Sequence, residues 1–499
     1  MDDDEDDVDE YDNDPDYIYN ESEEEDGDDE YGSDDDEETS NYRMEECNDP
    51  IEEKYYMVSE TALFHRGTMI STSSVCAFGH VYKWKSQNCH ERIPWGNLLL
   101  ASAIMFSGNN TAKIVRLFDQ MKLKGISERS VRRLQTAYTS CAVIYEFDSQ
   151  QADLLTSLQG PDKQVVLGGD GRCDSPGYSA KYGSYTLMDL NTNKILDIQL
   201  VQSNKVKGST HMELEGLKRG LSLLMDTNNI EVSTLVTDRH VMIKKFMKDN
   251  HPEINHYFDV WHIAKGISKK LETRAKKKDT GDIRPWIKSI VNHTYWVSAS
   301  SGEDQNVKIH KWTSISNHII NKHVHDSDVF PQCIHGELEE QRAWLKQGSR
   351  SHKLVLEVIE SKYLPNDLKK LSPVHQTYGL EVYHSLVNQY APKNTHFFQY
   401  AMKARQQAVT KGGILTWKKS KRKKGEQCVV KPQKVQATYD YVGALLKRTF
   451  DRRNNLSSIK EALEDFNVVY QRLPPLTASN AHFDKEELIR HRTSRFARN

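Results

Sequence analysis

The order of the segments predicted between residues 164 and 275 restricts the fold more than any other feature of this sequence. Apolar runs predict three strands there, at residues 164–170, 185–190 and 194–201, with turn residues joining the last two as a hairpin. Helix-like and strand-like segments then alternate, at residues 210–225, 232–237, 240–248 and 255–258, and a further helix starts near Trp261. The predicted order is therefore β-β-β-α-β-α-β-α, an α/β arrangement.

Three of the predicted strands end in an aspartate: Asp170, Asp238 and Asp259. The predicted order is that of the ribonuclease-H-like fold, whose first and fourth strands are parallel neighbours. Asp170 and Asp238 should then meet at one edge of the sheet. Carboxylates at such positions hold Mg²⁺, and two ions about 4 Å apart promote phosphodiester displacement. We therefore predict a catalytic site that binds Mg²⁺ or Mn²⁺ through these two aspartates.

A third metal-binding carboxylate is expected from a later helix. Residues 161–271 form the first part of the predicted core, and residues 272–370, rich in Lys, His and Trp, are predicted to be a helical insertion. After it, residues 371–402 contain the closing catalytic helix, on which Glu381 is the preferred third carboxylate. The alternative is an acidic cluster within the insertion, made of Glu337, Glu339 and Glu340.

Residues 97–160 predict a helical region of the helix-turn-helix kind. Ser127 is a plausible N-cap after a turn at Gly125. The second helix would present three arginines suited to phosphate or base contacts in a major groove: Arg129, Arg132 and Arg133. The alternative is an ordinary helical hairpin without a role in DNA binding.

Residues 54–96 predict short strands and turns with four soft metal ligands among them. These are Cys76, His80, Cys89 and His90. Zinc sites need about four N or S ligands, usually delivered in close pairs, so a degenerate zinc ribbon is one interpretation. The alternative is that all four are structural residues without a metal.

Charge is distributed very unevenly along the chain. Residues 1–50 hold 27 acidic residues and one basic residue, Arg43, whereas the remainder holds 66 basic and 45 acidic residues. The net charges of −26 and +21 predict a disordered acidic tail over residues 1–53 and a nucleic-acid-binding remainder. Residues 403–499 predict a basic helical C-terminal tail, whose run at 418–424 resembles a nuclear localisation signal.

Other features exclude some classes of protein. The longest apolar stretch is shorter than the about 20 residues that span a bilayer, and no signal peptide opens the sequence. Seven scattered cysteines do not suggest a disulfide scaffold. We therefore expect neither a membrane protein nor a secreted one. The lysine triplet Lys276, Lys277 and Lys278 is a further candidate for DNA contacts.

Three motifs carry a resemblance to a known family: residues 169–177 (GDGRCDSPG), residues 235–240 (LVTDRH), and Asp259 followed by His262 in a D-x-x-H pattern. In combination they resemble the cut-and-paste DDE transposases of eukaryotes, close to the Kolobok group, and the uncharacterised relatives of these transposases in host genomes. The similarity extends over about four-fifths of the chain.

The resemblance implies a triad of Asp170, Asp238 and Glu381, with Asp259 and His262 shaping the active site. It also implies phosphate contacts for three basic residues: Arg172, Arg239 and Lys265. The expected partners are transposon ends and target DNA, bound by a homo-oligomer in the nucleus.

The expected reaction is two-metal-ion cleavage of DNA phosphodiesters, followed by strand transfer at transposon ends. One alternative is a domesticated DNA-binding protein that keeps the fold without catalysis. Another is a nuclease of the same fold that does not transpose DNA.

Overall fold

The computed structural model of the chain describes residues 58–76, 79–90, 92–161, 163–175, 180–336, 343–411, 415–421, 428–434, 439–470 and 490. The predicted acidic tail, residues 1–53, lies outside the described residues, as does the acidic cluster of Glu337, Glu339 and Glu340. The chain divides into two units, and the larger comprises residues 62–73 and 82–472. All contacts discussed below lie within this larger unit.

The fold is mixed α/β, and helices predominate. In chain order, the strands are β1 (Val58–Arg66), β2 (Met69–Cys76), β3 (Val81–Lys85), β4 (Cys89–His90), β5 (Ile93–Pro94), β6 (Gln164–Cys173), β7 (Tyr182–Asp189), β8 (Lys194–Gln202), β9 (Glu231–Thr237), β10 (Asn255–Phe258), β11 (Leu415–Lys421) and β12 (Cys428–Lys434). The helices are α1 (Trp95–Phe106), α2 (Thr111–Gln120), α3 (Glu128–Leu134), α4 (Ser140–Leu158), α5 (Met212–Leu221), α6 (Val241–Asn250), α7 (Val260–Ala275), α8 (Arg284–Ser300), α9 (Gln305–His318), α10 (Arg350–Ile359), α11 (Leu364–Leu368), α12 (Tyr378–Tyr390), α13 (Gln399–Ala408), α14 (Tyr441–Asn455) and α15 (Ile459–Val469).

The central block forms a five-stranded mixed sheet in the order β10-β9-β6-β7-β8. Strands β6, β7 and β8 form an antiparallel meander, whereas β9 runs parallel to β6 and β10 runs parallel to β9. Every residue of β7 is buried, as expected for a strand covered on both faces. The predicted order of strands and helices in this block is confirmed.

Helices cover both faces of this sheet. On one face, Leu187 and Leu196 pack with Leu217 and Leu221 of α5. A Cβ atom on Gly216 would lie 2.5 Å from the Cβ of Tyr185, so α5 approaches the sheet as closely as a glycine permits.

The second face of the sheet is covered by α12. Ile198 and Leu200 of β8 share a core with Tyr383 and Val387 of that helix. The two cores fix the positions of α5 and α12 on either side of β6.

The insertion predicted at residues 272–370 is helical. Helices α8, α9 and α10 enclose a core around Trp286, Trp312 and Val355, which also contains the buried face of α7. Residues 343–346 of the predicted insertion form no helix, and residues 337–342 lie outside the described part.

The helices predicted at residues 97–146 are present. Ser127 caps α3, accepting a hydrogen bond from the backbone N–H of Ser130 at 3.2 Å. A π-helical turn, Gln135–Thr139, then connects α3 directly to α4, so one continuous helical segment runs over residues 128–158.

The prediction of a helical tail at residues 403–499 is partly wrong. Residues 418–421 of the lysine-rich run lie in β11, which pairs antiparallel with β12, and α14 and α15 pack against the N-terminal helices. The guanidinium of Arg452, for example, donates to the carbonyl oxygen of Ala137 at 2.8 Å. Among the described residues, no helix combines the length and apolar character needed to cross a bilayer.

Candidate active site

Asp170 and Asp238 lie side by side on neighbouring strands. The last paired residues of the parallel strands β6 and β9 are Gly169 and Thr237, and each aspartate comes directly after its member of this pair. Parallel strands are about 4.8 Å apart, so the two carboxylates share one edge of the sheet. Strand β6 was predicted to end at Asp170 but continues to Cys173, paired only with β7. Asp170 is therefore the first residue of β6 beyond its parallel pairing with β9.

The electrostatic environment of Asp238 reflects this proximity. Burial raises the pKa of its carboxyl, and the negative charge of Asp170 raises it further, whereas His262 and His240 act in the opposite direction. Two carboxylates that repel each other in a partly buried position form the kind of site that a cation stabilises.

Helix α12 presents Glu381 and His384 on one face, since they are three residues apart. The Nδ1 of His384 lies 3.2 Å from the Oδ2 of Asp170, and its Nε2 lies 3.3 Å from the Oγ1 of Thr186. The Nε2 of His262 lies 3.5 Å from the Oε1 of Glu381. An imidazole thus contacts each of the two predicted ligands, Asp170 and Glu381.

His262 is held as an imidazolium. Its Nδ1 lies 3.3 Å from the Oδ2 of Asp259, in an ion pair without hydrogen-bond geometry. Burial lowers the pKa of His262, but the interactions with Asp259 and Glu381, together with the charge of Asp170, outweigh this and raise it to about 10. The same contact with His262 lowers the pKa of Glu381, which stays ionised.

Asp259 connects the two helices that approach the site. It is only 1% exposed and is the N-cap of α7, with Oδ2 accepting from the N–H of Trp261 and Oδ1 from the N–H of Thr377, both at 3.1 Å. Since Thr377 directly precedes α12, this single carboxylate fixes the start of α7 relative to the start of α12.

Substitution of Asp259 by alanine should lower the free energy of unfolding by about 2–4 kcal/mol, because it removes a cap and leaves a second buried N–H without its acceptor. The matched control is Asp304→Ala. Asp304 is the exposed N-cap of α9 and accepts from Asn306 and Val307, so its loss should cost about 1 kcal/mol. Guanidinium unfolding curves of both variants measure the difference, and equal losses would contradict the connecting role of Asp259.

Glu213 is a fourth carboxylate at the site, and the sequence did not single it out. It lies in the first turn of α5, against the backbone of Gly171, where an added Cβ would be 2.6 Å from its Cδ. Burial and the charges of Asp238 and Asp170, in that order, raise its pKa to about 7. The only sequence signal was an acidic residue at the start of the helix after the third strand, which is also an ordinary preference of helix N-termini.

Tyr185 lies under this carboxylate group. Its hydroxyl is buried without a hydrogen-bond partner, and burial together with the charges of Asp238, Asp170 and Glu213 raises its pKa well above the usual value. The three acidic groups that act on Tyr185 are those that act on one another. Asp170, Asp238 and Glu213 therefore lie close enough for their charges to interact, and Glu381 contacts His262, whose pKa Asp170 also raises.

The basic residues predicted to contact phosphates are placed differently from one another. The prediction for Arg172 is corrected: it is only 5% exposed, and its guanidinium donates to the Oδ1 of Asn388 at 2.8 and 3.1 Å and to the carbonyl oxygen of Ala391. It therefore holds the end of α12 against β6. Arg239 pairs with Asp367 at 2.9 Å, and the ammonium group of Lys265 lies 4.4 Å from the ring centre of Trp261, beside the site.

The remaining basic candidates lie away from the carboxylates. Lys276, Lys277 and Lys278 are exposed at the end of α7, about 20 Å along its axis from His262. Arg129 is exposed on α3, whereas Arg132 and Arg133 are half-buried, and Arg132 pairs with Glu128. These residues form no part of the carboxylate site.

The four predicted zinc ligands lie near the start of the described chain. Cys76 ends β2, although its side chain lies outside the described part, His80 is exposed, and Cys89 and His90 form β4. Among the described residues, the group of side chains placed to hold a metal ion lies elsewhere, in the insertion, and consists of His318, His323, Cys333 and His335. The chain matches no protein-family model and no curated protein.

Proposed function

We propose that this protein is a DNA transposase-like enzyme that cleaves DNA phosphodiesters with divalent metal ions and joins the freed ends to target DNA. The observation that carries the proposal is the convergence of Asp170, Asp238 and Glu213 at the edge of the sheet, with Glu381 opposite them. Acidic groups that destabilise one another in this way need a cation, and their oxygen atoms suit Mg²⁺ or Mn²⁺.

The topology of the sheet supports a ribonuclease-H-like core within this proposal. Its order, β10-β9-β6-β7-β8, has a three-stranded antiparallel meander extended by two parallel strands. This is the neighbourhood of first and fourth strands from which the metal site was predicted. The segment between α7 and α12 would then be the insertion into that core predicted at residues 272–370.

Within this proposal, Asp170, Asp238, Glu213 and Glu381 would supply the oxygen ligands for two hard divalent ions. When bound, such ions activate the attacking oxygen and stabilise the leaving one in phosphodiester displacement. The protein itself orients the ligands, since His384 contacts the Asp170 carboxylate and His262 contacts Glu381.

Protonation of Glu213 should affect the proposed binding of cations. Near pH 7, about half of this carboxyl is protonated in the metal-free protein, because its pKa lies at about 7. The proton lowers the repulsion within the group. Loss of this proton makes a ligand oxygen available, so cation binding should become tighter as the pH rises through 7.

DNA is the partner that the charge distribution favours. The chain beyond residue 50 carries a net charge of +21, and Lys265 and Lys276–Lys278 line one helix that starts at the site. We further propose that the helix-turn-helix-like segment of α2 and α3 binds DNA, and that the protein works as a homo-oligomer on transposon ends in the nucleus.

Nicking of supercoiled plasmid by the purified full chain tests the function. With Mn²⁺ or Mg²⁺ we expect conversion of supercoiled to open-circular DNA, at a rate at least tenfold above that with EDTA. Plasmid incubated with Mn²⁺ alone is the control for metal-catalysed cleavage. A protein that binds DNA with the expected salt dependence yet never nicks it would overturn catalysis.

That outcome would favour the second candidate, a DNA-binding protein that keeps the fold without catalysis. One observation supports this alternative: imidazoles already contact Asp170 and Glu381, and the imidazolium of His262 supplies positive charge without a metal ion. The two candidates therefore differ in whether a divalent ion displaces these contacts. Isothermal titration with Mn²⁺ measures this directly.

A further inference from the structure

The described residues between α9 and α10, 319–336 and 343–349, contain no helix, and residues 323–333 form a narrow hairpin. The N–H of Cys333 donates to the carbonyl oxygen of His323 at 2.9 Å, and the N–H of His325 donates to that of Pro331 at 2.7 Å. An isolated antiparallel bridge joins Val324 and Gln332 between them. The hairpin places residues 323 and 333 next to each other although ten positions separate them.

Four soft ligands meet where this hairpin touches the end of α9. They are His318, the last residue of α9, His323 and Cys333 on the two arms of the hairpin, and His335, two residues further on. One ligand atom from each lies within 4.8 Å of all the others. The Sγ of Cys333 is 3.6 Å from the Nδ1 of His318.

The three imidazoles face each other edge to face. Their ring centres are 4.9–5.2 Å apart in all three pairs, and the planes are inclined at 74–88°. Trp344 closes one side, with its ring centre 5.7 Å from those of His318 and His323. This packing is compatible with a tetrahedral ion, which requires that each ring direct one nitrogen inwards.

Hydrogen bonds leave the required nitrogens available on two of the rings. The Nδ1 of His335 is 2.8 Å from the carbonyl oxygen of Gly336, so its Nε2 is the ligand atom. The Nε2 of His323 is 3.0 Å from the Oδ1 of Asn321, and its Nδ1 is buried without a hydrogen-bond partner. A carbonyl oxygen on the far nitrogen is the usual second contact of a metal-bound histidine.

We infer that this Cys-His₃ cluster binds one Zn²⁺ as a structural site. Thiolate and imidazole are ligands that Zn²⁺ prefers, and four protein ligands leave no open position of the kind that catalytic zinc needs. At Zn–N and Zn–S distances of about 2.1 and 2.3 Å, the ligand atoms of a tetrahedral Cys-His₃ site are about 3.4–3.6 Å apart, so contraction from 4.8 Å by side-chain rotation suffices. The ion would attach the hairpin to the end of α9.

This zinc site is independent of the proposed enzymatic function. The zinc ligands predicted from the sequence lie at residues 76–90, whereas the cluster lies in the insertion and includes none of them. The spacings, H-x4-H followed by C-x-H, were present in the sequence but are not those of a common zinc finger. Only the hairpin brings the two halves together.

Metal analysis of the full-length protein, purified from cells grown with zinc, tests the inference. We expect one zinc per chain, and after replacement by Co²⁺ a thiolate-to-cobalt charge-transfer band together with the intense visible bands of tetrahedral cobalt. His335→Ala and Cys333→Ser should each weaken zinc binding at least about a hundredfold, since loss of a second-shell contact alone costs 10–100-fold. His335 is exposed, so its replacement should leave the circular dichroism spectrum unchanged.

Two variants serve as matched controls. Cys89→Ser replaces a half-buried cysteine of the N-terminal candidate set, and His251→Ala removes a histidine of the sheet region. Both should retain one zinc and the cobalt spectrum. Wild-type protein without zinc after growth in zinc, or zinc that survives His335→Ala and Cys333→Ser but is lost in Cys89→Ser, would overturn the assignment.

Discussion

Replacement of Asp238 by asparagine should reduce metal-dependent nicking about a thousandfold while raising the melting temperature of the metal-free protein at pH 8. Loss of a ligand that stabilises charge in the transition state is worth several kcal/mol, and about 4 kcal/mol corresponds to a thousandfold in rate. The stability change has the opposite sign. Burial and Asp170 raise the pKa of Asp238, so its ionised form destabilises the folded protein at any pH above that pKa.

The sign of this change in stability follows from the coupling between proton binding and folding. A carboxyl whose pKa is higher in the folded state binds protons more tightly when folded, so the free energy of unfolding falls as the pH rises from the unfolded to the folded pKa. Asparagine does not ionise, and the gain in melting temperature should therefore vanish in acid, below the usual pKa of an aspartate. The melting temperature is a sensitive measure of this gain, since 1 kcal/mol corresponds to about 2–4 °C in a domain of 150–250 residues.

Asp170→Asn separates the two effects. It should reduce nicking to the same extent, but with a smaller gain in stability, because the substitution also removes the contact between the carboxylate of Asp170 and His384. Asp249→Asn, at the exposed end of α6, should change neither property. Nicking by Asp238→Asn within threefold of the wild type would contradict a catalytic role for this edge of the sheet.

The order of the central strands was predictable because each strand is an apolar run with a turn or a helix on either side. That pattern is local, and so is the aspartate that follows β9 or β10. The adjacency of Asp170 and Asp238 then needed only the rule that places the first strand beside the fourth. Nothing local indicates which residues approach from the helices above and below the sheet.

Glu213 and Arg172 are two examples of contacts with helices that the local sequence does not indicate. Glu213 reaches the aspartates because Gly171 has no side chain at the point of contact, which depends on how closely α5 packs on the sheet. Arg172 follows Asp170 by two residues and had the appearance of a phosphate ligand, yet the end of α12 supplies its acceptors. Both outcomes depend on residues that are distant in sequence, 42 positions away in one case and more than 200 in the other.

The lysine-rich run at residues 418–424 shows a limit of another kind. A uniform run of lysines has no apolar period, so it does not distinguish a strand from a helix or a tail. Its partner strand β12 has two adjacent valines, Val429 and Val430, followed mainly by polar residues, and only the antiparallel pairing of the two strands defines β11.

Glu213→Gln is expected to remove most of a pH dependence of stability between pH 4.5 and 7. In the folded protein the pKa of Glu213 is raised to about 7 by burial and by Asp238 and Asp170, whereas in the unfolded chain it has its ordinary value of 4.5. The wild type should therefore lose on the order of 3 kcal/mol relative to the variant as the pH rises through this range, at 1.36 kcal/mol per pKa unit. Urea unfolding at a series of pH values without metal measures the difference.

Mn²⁺ should reverse this behaviour, since a bound cation stabilises the ionised carboxylate and lowers its pKa. At pH 8 the wild type should gain more stability from Mn²⁺ than Glu213→Gln does, and its dependence on pH should flatten. Glu215→Gln is the matched control, because Glu215 lies on the same helix but pairs with Arg219 at 2.8 Å, away from the aspartates. If Glu213→Gln and Glu215→Gln gave the same slope with pH and the same response to Mn²⁺, Glu213 would have no part in the carboxylate site. Glu381 would then be the remaining candidate for a third ligand beside the aspartate pair, and its contact with His262 would connect it to that pair.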